Sequence, residues 1–531
     1  MIRDLANADG RTNVRGKACI IGAGIAGLLL ASRLRSYGMR VITLESGPRE
    51  TPEGADPLNA VVQLAQVYNG GAAGRCRGLG GTSARWGGQL VPIRPEDIVA
   101  RPHAGLAAWP ISSQAFMCYL PEIEELFGLC KGTYERDFVK DCSANGLIPS
   151  DDPNLTPRFS KVPTFKRRNV ATLLTKLMHN DANIEVWLNA TVAEFEFSRE
   201  TGRLKSVTAT DRHGRTLRAE AELFVICAGA IESTRLLLML DAANDGRVFE
   251  SCNVLGRYFH DHISVPLAEL LPRHFDRFNR MFGQHFVGTT MRSTRFELTA
   301  PVQARDGVAG AYGHVSMELS RASGFAILRE FLLSRQKTGA RIDPWLLLKL
   351  IRQVPYLAAI GFWRFYHNQL YWSRDATFRL HVVAEQVPHA ANRIVLSAER
   401  DALGVPMVAI DWRLRETECR TFRSYLSHYD KFWHRHGLER IARLKLYSTP
   451  EDLDESTLLR LRAGDIYHPA GSTRMGGNGR DAVVNSDLRV FAVSNLWVSS
   501  TSVFPSLGTA NPTLTLMLVT LRLGDKLSKE A

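Results

Sequence analysis

Residues 17–47 read KACIIGAGIAGLLLASRLRSYGMRVITLESG, and this stretch decides the fold class. The apolar run 18–21 predicts a short buried strand, and the periodicity of 25–37 predicts a helix that ends at Gly38. Residues 40–44 predict a second strand, which leads directly to Glu45. This order of elements is that of a βαβ unit with parallel strands, and it predicts an α/β fold.

The turn between the first strand and the helix has the spacing G-x-G-x-x-G, with Gly22, Gly24 and Gly27. In this pattern the first glycine permits a tight turn, the second admits a pyrophosphate and the third allows close helix–strand packing. Free N–H groups at the helix start favour phosphates. Glu45 is placed to accept hydrogen bonds from a ribose diol, which disfavours NADP. The motif predicts a dinucleotide site, leaves FAD and NAD open, and has an ordinary βαβ turn as its alternative.

The composition of the 531 residues is that of an ordinary globular protein, with 45% hydrophobic and 23% charged residues. It excludes a disordered or collagen-like chain and allows three or four domain-sized units, or one or two large domains. None of the eight cysteines forms a C-x-x-C pair, which excludes the usual zinc spacings and fits a reducing compartment. The polar residues 1–17 predict no signal peptide, so we expect a cytoplasmic protein. No run of 18 apolar residues occurs, which predicts no membrane-spanning helix.

The formal net charge of +12 is concentrated in one segment. Residues 321–374 contain nine Lys or Arg and two Asp or Glu, a net charge of +7 in one tenth of the chain. The remainder is close to neutral, so we expect no nucleic-acid partner. Leu346, Leu347, Leu350, Ile351 and Val354 recur at helical spacing, which predicts an amphipathic helix with Lys349 and Arg352 on the opposite flank. Two alternatives stay open for this segment: a lid or dimer contact, and a peripheral membrane anchor.

Several later segments resemble, in order, those of the glucose–methanol–choline (GMC) oxidoreductases. They are LGGTSARWGGQ (79–89) with WPIS (109–112), VICAGAIESTRL (225–236), VLGRYFHDH (254–262), and YHPAGSTRMG (467–476) with VNSDLRV (484–490), NLWV (495–498), SVFP (502–505) and NPT (511–513). The resemblance extends from residue 17 to residue 513. The pattern is nearer to the sugar-oxidising and cholesterol-oxidising branches than to the choline-type branch.

The resemblance implies FAD as cofactor, an alcohol as donor and hydride transfer to the flavin. It implies an α/β, Rossmann-like FAD-binding domain and an α+β substrate domain built on an antiparallel sheet. By position it adds these cofactor-binding residues: Gly80, Ser83, Arg85, Trp86, Gly87, Gly88, Val192, Ala228, Gly229, Pro512 and Thr513. Some relatives tether FAD through a histidine where this chain has Arg85, so we expect non-covalent FAD. Ser500 replaces a frequent Asp, which puts one ribityl contact in doubt.

Alcohol oxidation needs a base, because an alcohol becomes a good hydride donor only as its hydroxyl proton leaves. Histidine is the natural candidate, and His468 lies in the most specific of the matching segments. The resemblance makes His468 the base and Asn511 its partner. His260 and His262 form an H-x-H pair without a third nearby metal ligand, so we interpret both as structural and expect no metal site.

The last helix is predicted to open at Asn511, where Asn is a good N-cap and Pro512 fits the first turn. Its positive dipole end would stabilise an anionic reduced flavin.

The predicted FAD domain is discontinuous, with residues 1–105, 190–265 and 455–531. The predicted substrate domain contains residues 106–189 and 266–454. Alternating runs at 378–386, 393–396 and 407–411 predict strands of its sheet.

The sequence favours a sugar or glycoside as donor, with a sterol or other apolar alcohol next. It leaves oxygen, a quinone and a cytochrome open as electron acceptors. Two other classes remain: a non-redox lyase on the same fold, and an interaction protein that uses a degenerate flavin fold.

Overall fold

The computed structural model describes residues 1–8, 10–51, 54–142, 144–319, 326–329, 331, 344–351 and 353–530. Within these residues the strands are β1 (Ile2–Asp4), β2 (Arg11–Ile21), β3 (Val41–Leu44), β4 (Val61–Gln63), β5 (Leu155–Val162), β6 (Ile184–Leu188), β7 (Thr191–Ser198), β8 (Arg203–Thr210), β9 (Thr216–Ile226), β10 (His262–Pro272), β11 (His285–Val287), β12 (Thr290–Leu298), β13 (Ala311–Glu318), β14 (Thr377–Glu385), β15 (Arg393–Arg400), β16 (Pro406–Asp411), β17 (Ala442–Leu446), β18 (Gly464–Asp465) and β19 (Leu496–Val498). The helices are α1 (Ile25–Ser36), α2 (Pro95–Ile98), α3 (Gln114–Met117), α4 (Leu120–Phe127), α5 (Val170–Asn180), α6 (Gly229–Ala242), α7 (Phe275–Phe282), α8 (Ala300–Asp306), α9 (Pro344–Ile351), α10 (Val354–Tyr366), α11 (Glu416–Arg435), α12 (Glu455–Arg460) and α13 (Pro512–Glu530).

The first sheet has the order β1-β6-β3-β2-β9-β8-β7, with β19 also paired to β9. Strands β1, β6, β3, β2, β9 and β19 run parallel, whereas β7, β8 and β9 form an antiparallel meander. The predicted βαβ unit is confirmed as β2-α1-β3. Strand β2 is longer than the predicted 18–21 because residues 11–16 continue to pair with β9 beyond the apolar run.

The second sheet is antiparallel and has the order β11-β12-β13-β14-β10-β17, with β5 on β12 and β18 on β10. One face packs against α11, where the Tyr425 hydroxyl donates to the main-chain oxygen of Phe296 at 2.9 Å. Because side chains alternate along a strand, the opposite face carries His262 of β10 and Arg295 of β12. The predicted combination of an α/β sheet with an antiparallel-sheet unit is confirmed.

The predicted domain boundaries differ from the strand pairing in three places. Strand β6 joins the first sheet between β1 and β3, although it lies within 106–189. Strand β18 pairs with β10 of the second sheet, although it lies within 455–531. Strand β4 pairs with β16 in a third, three-stranded sheet of β15, β16 and β4, although it lies within 1–105. Local periodicity identifies a strand but contains no information about the sheet that it joins.

In the basic segment 321–374, the described residues of 344–366 form two helices where a single helix was predicted. Helix α9 ends at Ile351 and α10 begins at Val354, with Pro355 in the first turn of α10. Arg321, Arg335, Lys337, Arg341 and Arg352 lie outside the described residues. Among the residues that are described, none of the helices combines the length and apolarity that crossing a membrane requires.

Candidate active site

A cavity at the first sheet lies where three helices begin. Its volume is about 1330 Å³, including the open solvent at its mouth. Residues near the starts of α1, α6 and α13 line it, and the N-caps of α1 and α6, Gly24 and Ala228, make no side-chain capping bond. Main-chain N–H groups and positive dipole ends therefore face the cavity, as an anionic ligand requires.

Sequence reasoning predicted many of the lining residues, and the structure brings ten of them together. The ten are Gly22, Gly24, Glu45, Ser83, Val192, Ala228, Gly229, His468, Pro512 and Thr513. The lining, over the described part of the chain, leaves out Gly27, Gly80, Arg85, Trp86, Gly87, Gly88 and Asn511.

Each of the three glycines in the α1 turn lacks a Cβ for a different steric reason. Gly22 has a φ of +105°, and a Cβ there would lie 2.6 Å from the main-chain oxygen of Cys227. A Cβ on Gly27 would lie only 1.8 Å from the main-chain oxygen of Gly22, so Gly27 permits close packing and does not line the cavity. A Cβ on Gly24 would meet protein only at 4.0 Å, at the Cα of Gly81. Gly24 is therefore open on the cavity side, where a pyrophosphate would approach.

Glu45 is buried at the end of β3 and lines the cavity. Its carboxylate accepts hydrogen bonds from the N–H groups of Ala23 (2.8 Å), Gly47 (2.9 Å) and Gly78 (2.9 Å). Burial raises the pKa of Glu45, and these three bonds oppose that rise. A carboxylate offers about four acceptor positions, so one remains for a ribose hydroxyl.

The loop 79–89 supports the α1 turn more than it enters the cavity. The N–H of Gly80 donates to the main-chain oxygen of Ala23 at 2.9 Å, which holds the loop against the turn. Trp86 donates through Nε1 to the main-chain oxygen of Arg168 at 2.9 Å. The side chain of Arg85 is exposed and donates to the main-chain oxygen of Gly54 at 2.9 Å. The resemblance alone therefore implies a cofactor contact for Arg85 and Trp86.

These observations fit FAD. The cradle has no room for a Cβ at Gly22, helix starts face it at both ends, and the Glu45 carboxylate lies between strand and loop. The start of α1 would hold the pyrophosphate, Glu45 the ribose, and Pro512 and Thr513 at the start of α13 the flavin end.

His468 lines this cavity, and both of its ring nitrogens lie close to polar groups. Its Nδ1 is 3.0 Å from Nδ1 of His262, and its Nε2 is 3.5 Å from Nδ2 of Asn511. Burial, with His262 and Arg295 nearby, holds the pKa of His468 well below its ordinary value. The imidazole is therefore neutral at pH 7, as a proton acceptor must be.

Asp261 anchors the main chain of both histidines, and sequence reasoning missed it. Its carboxylate accepts from the N–H of His468 (2.8 and 3.0 Å), the N–H of His262 (2.6 Å) and the hydroxyl of Tyr68 (2.5 Å). Burial, together with the neighbouring Asp465, raises the pKa of Asp261 well above its ordinary value. The available signal was its position between the two histidines of F-H-D-H (259–262).

The H-x-H pair divides between two environments. His260 contacts the main-chain oxygen of Tyr258 through Nδ1 at 2.8 Å, which suits a structural residue. His262 contacts Gly508 through Nε2 and the candidate base through Nδ1, so its purely structural interpretation is incomplete. Sequence reasoning missed this because 206 residues separate His262 from His468.

Asn511 is held from its other side by Arg295, a further residue that sequence reasoning missed. Nη1 of Arg295 donates to Oδ1 of Asn511 at 3.4 Å. The guanidinium pairs with Glu297 at 2.5 Å and lies over the ring of Tyr312, with 4.4 Å from Cζ to the ring centroid. This support turns the amide N–H₂ of Asn511 toward His468.

Two family models match parts of the chain. The model described as GMC oxidoreductase matches residues 388–520, which include His468 and Asn511, and that of an NAD(P)-binding Rossmann-like domain matches residues 20–50.

Curated relatives match over nearly the whole length. The 2-methyl-1,2-propanediol dehydrogenase of Mycolicibacterium austroafricanum is 23% identical and covers 96% of this chain and 94% of its own. The fructose dehydrogenase large subunit of Gluconobacter japonicus is 22% identical, and the match covers 95% of this chain and 96% of the relative. The paromamine 6'-oxidase of Streptomyces fradiae is 23% identical, with 95% and 89% covered.

Solved structures share the fold. Pyridoxine 4-oxidase from Mesorbium loti has a TM-score of 0.57 at 17% identity and covers 96% of this chain and 98% of its own. A formate oxidase has a TM-score of 0.58 at 16% identity, with 98% and 99% covered. Together with the glycine turn, the His468 segment and the two family models, these matches confirm the predicted resemblance to the GMC oxidoreductases, and the chain is an FAD-dependent oxidoreductase.

Proposed function

We propose that this enzyme oxidises the CH–OH group of an alcohol to a carbonyl, with His468 as the base. The observation that carries the proposal is the pair formed by His468 and Asn511 beside the start of α13. Bound FAD supplies the acceptor for the hydride that leaves the substrate carbon. The protein then has to orient the alcohol and remove its hydroxyl proton.

The two side chains have separate tasks in this proposal. Nε2 of the neutral His468 takes the hydroxyl proton, while the amide N–H₂ of Asn511 holds the substrate oxygen. The start of α13 lines the cavity, and its positive dipole end would stabilise the negative charge that develops on the reduced flavin. The lyase alternative lacks a hydride step, so flavin bleaching by an alcohol distinguishes the two.

A sugar or glycoside is the donor that we propose. The names of two relatives specify a sugar and an aminoglycoside as substrates, and a third specifies a diol. The sheet face that carries His262 is also polar, since Ser264, His314 and His381 lie on it and are half-buried. Ser264 and His381 contact each other at 3.4 Å, whereas the buried Nδ1 of His314 has no hydrogen-bond partner among the described residues. A sugar hydroxyl could supply one and a sterol ring could not.

We propose that FAD is held without a covalent bond, because arginine at position 85 cannot form a histidyl tether. Acid precipitation should then leave the flavin in the supernatant, and a yellow pellet would contradict the proposal.

The decisive experiment is anaerobic stopped-flow reduction of the flavin by a panel of sugars, polyols, sterols and aryl alcohols. His468→Ala should slow reduction by the best donor by about 10²-fold or more, the usual scale for losing a general base. FAD content should stay unchanged, since the helix starts and Glu45 supply the proposed cofactor contacts. Reduction at the wild-type rate would refute the assignment. Adding oxygen, a quinone or a cytochrome to the reduced enzyme then identifies the electron acceptor.

We further propose that the exposed helix pair, residues 344–366, binds an anionic lipid surface. Its outer side exposes Phe365 by 86%, Tyr366 by 73%, Ile351 by 65% and Phe362 by 58%. The inner side packs on the protein through Trp363, which is 7% exposed. A lid packed on the sheet would cover these side chains. Residues 344–374 contain four Lys or Arg and no Asp or Glu, which complements anionic headgroups.

Co-sedimentation with vesicles tests the exposed helix pair. Vesicles that contain phosphatidylserine should bind the protein, and salt should weaken the binding. Ile351→Asp with Phe365→Asp should abolish it, whereas Phe491→Asp, at an exposed aromatic residue elsewhere, should not. No binding at low salt would refute the lipid partner. A dimer that the double variant dissociates would identify a second copy of the chain as the true occupant.

A further inference from the structure

A chain of hydrogen bonds crosses the active site from Gly508 to Arg295. Nε2 of His262 lies 2.8 Å from the main-chain oxygen of Gly508, and Nδ1 of His262 lies 3.0 Å from Nδ1 of His468. Nε2 of His468 lies 3.5 Å from Nδ2 of Asn511, and Oδ1 of Asn511 accepts from Arg295 at 3.4 Å. The five groups come from four separate parts of the sequence.

The two ends of this chain determine its direction. A main-chain oxygen can only accept a hydrogen bond, so Nε2 of His262 must carry a proton and donate a hydrogen bond to the oxygen of Gly508. His262 is buried and its pKa is lowered to about 4, so its ring is neutral and its Nδ1 has a lone pair. The proton between the two histidines therefore belongs to Nδ1 of His468.

The other end requires the same direction. A guanidinium can only donate, so Asn511 presents Oδ1 to Arg295 and N–H₂ to His468. Nε2 of His468 must then accept, which leaves it without a proton. Both ends independently assign the Nδ1–H tautomer to His468.

We infer that His262 is the positioning residue that fixes the tautomer and ring orientation of His468, so that Nε2 is the unprotonated nitrogen that can take the substrate proton. The inference rests on the proposed role of His468 and adds a partner to it. During the reaction the substrate O–H bond breaks and an N–H bond forms at Nε2 of His468. The hydride leaves with the carbon's bonding electrons, and His468 becomes an imidazolium whose Nδ1–H still donates to His262. His262 itself neither gains nor loses a proton.

The direct test is the tautomer of His468 in the FAD-loaded enzyme, measured by ¹⁵N NMR with labelled histidine and assigned by loss of signals in His468→Asn. Nδ1 should be the protonated nitrogen and Nε2 the unprotonated one. In His262→Phe the preference should disappear, because the acceptor for Nδ1–H is lost. A wild-type His468 protonated at Nε2 would overturn the inference even if His468→Ala abolished flavin reduction.

Flavin reduction gives the second test. His262→Phe should lower the limiting reduction rate by about 10²-fold, because a histidine in the wrong tautomer cannot take the proton. His262→Gln should recover most of the rate, since an amide can accept from His468 and donate to Gly508 as His262 does. The matched control is His260→Phe, because His260 is equally buried and contacts Tyr258.

The two His262 variants separate positioning from folding. Equal loss in His262→Phe, His262→Gln and His260→Phe, with unchanged tautomer in each, would assign His262 a structural role and overturn the inference. Loss confined to His262→Phe, with FAD content unchanged, would support it.

Discussion

The two ends of the active site are built in different ways. The cofactor end consists of the α1 turn and Glu45, which lie within about 30 consecutive residues. It depends on main-chain N–H groups and on glycines that leave space for the ligand. The catalytic end, made by His262, Arg295, His468 and Asn511, uses side chains from β10, β12 and two C-terminal loops. The cofactor cradle therefore depends on local backbone shape, whereas the position of the base depends on how segments that are far apart in the sequence pack together.

The largest expected effect is at the cofactor end. Gly27→Val should abolish FAD binding and lower the melting temperature of the apo protein, because its Cβ would overlap the main-chain oxygen of Gly22 at 1.8 Å. Gly24→Ala is the matched variant, since its Cβ would have no protein atom closer than 4.0 Å. It should weaken FAD binding while leaving the apo melting temperature nearly unchanged. Flavin absorbance after gel filtration and thermal unfolding measure the two effects.

Equal destabilisation of the apo protein by both glycine variants would contradict the different roles assigned to Gly24 and Gly27. It would mean that Gly24 is needed for packing, as Gly27 is, and not for the approach of the pyrophosphate.

A smaller effect is expected at the catalytic end for Asn511→Ala. Loss of the amide donor should slow flavin reduction by about 10-fold to 10²-fold, below the effect of His468→Ala, because the base remains in place. FAD content should stay at the wild-type level, since Asn511 does not line the cavity in the described residues. Anaerobic stopped-flow reduction with the best donor measures the rate. A larger loss than in His468→Ala would exchange the proposed roles of the two residues.

The smallest effect is expected for pH. His468 must be neutral to accept a proton, and its pKa lies well below the ordinary value of 6.5 because the ring is buried beside His262 and Arg295. Lowering the pH protonates His468 and stops the reaction only near that depressed pKa. The limiting rate of flavin reduction by an uncharged alcohol should therefore stay nearly constant between pH 8 and pH 6.5, whereas an unshifted histidine pKa would lower it about twofold. A half-maximal rate at pH 6.5 or above would contradict the low pKa.

Nine of the fifteen residues that the sequence predicts as cofactor-binding line the cavity, and their contacts with FAD stay a prediction. The α1 turn, Glu45, Val192 and the start of α13 line one cavity as expected. Arg85, Trp86, Gly87 and Gly88 belong to loop 79–89 and do not line the cavity in the described residues, so a cofactor contact for them stays a prediction. Adjacency to a motif does not show the direction in which a side chain points.

The amino-acid sequence by itself determined the βαβ unit, because a glycine turn and a strand–helix period act over a few residues. The order of its later motifs predicted the resemblance, FAD and the roles of His468 and Asn511. Only the tertiary structure decided that β6 joins the first sheet, that Asp261 anchors two histidines and that His262 contacts His468. The physical reason is that the direction of a hydrogen bond can be assigned only when both partners are known. The sequence predicts a structural role for His262, and only the fold brings Gly508 and His468 to its two ring nitrogens.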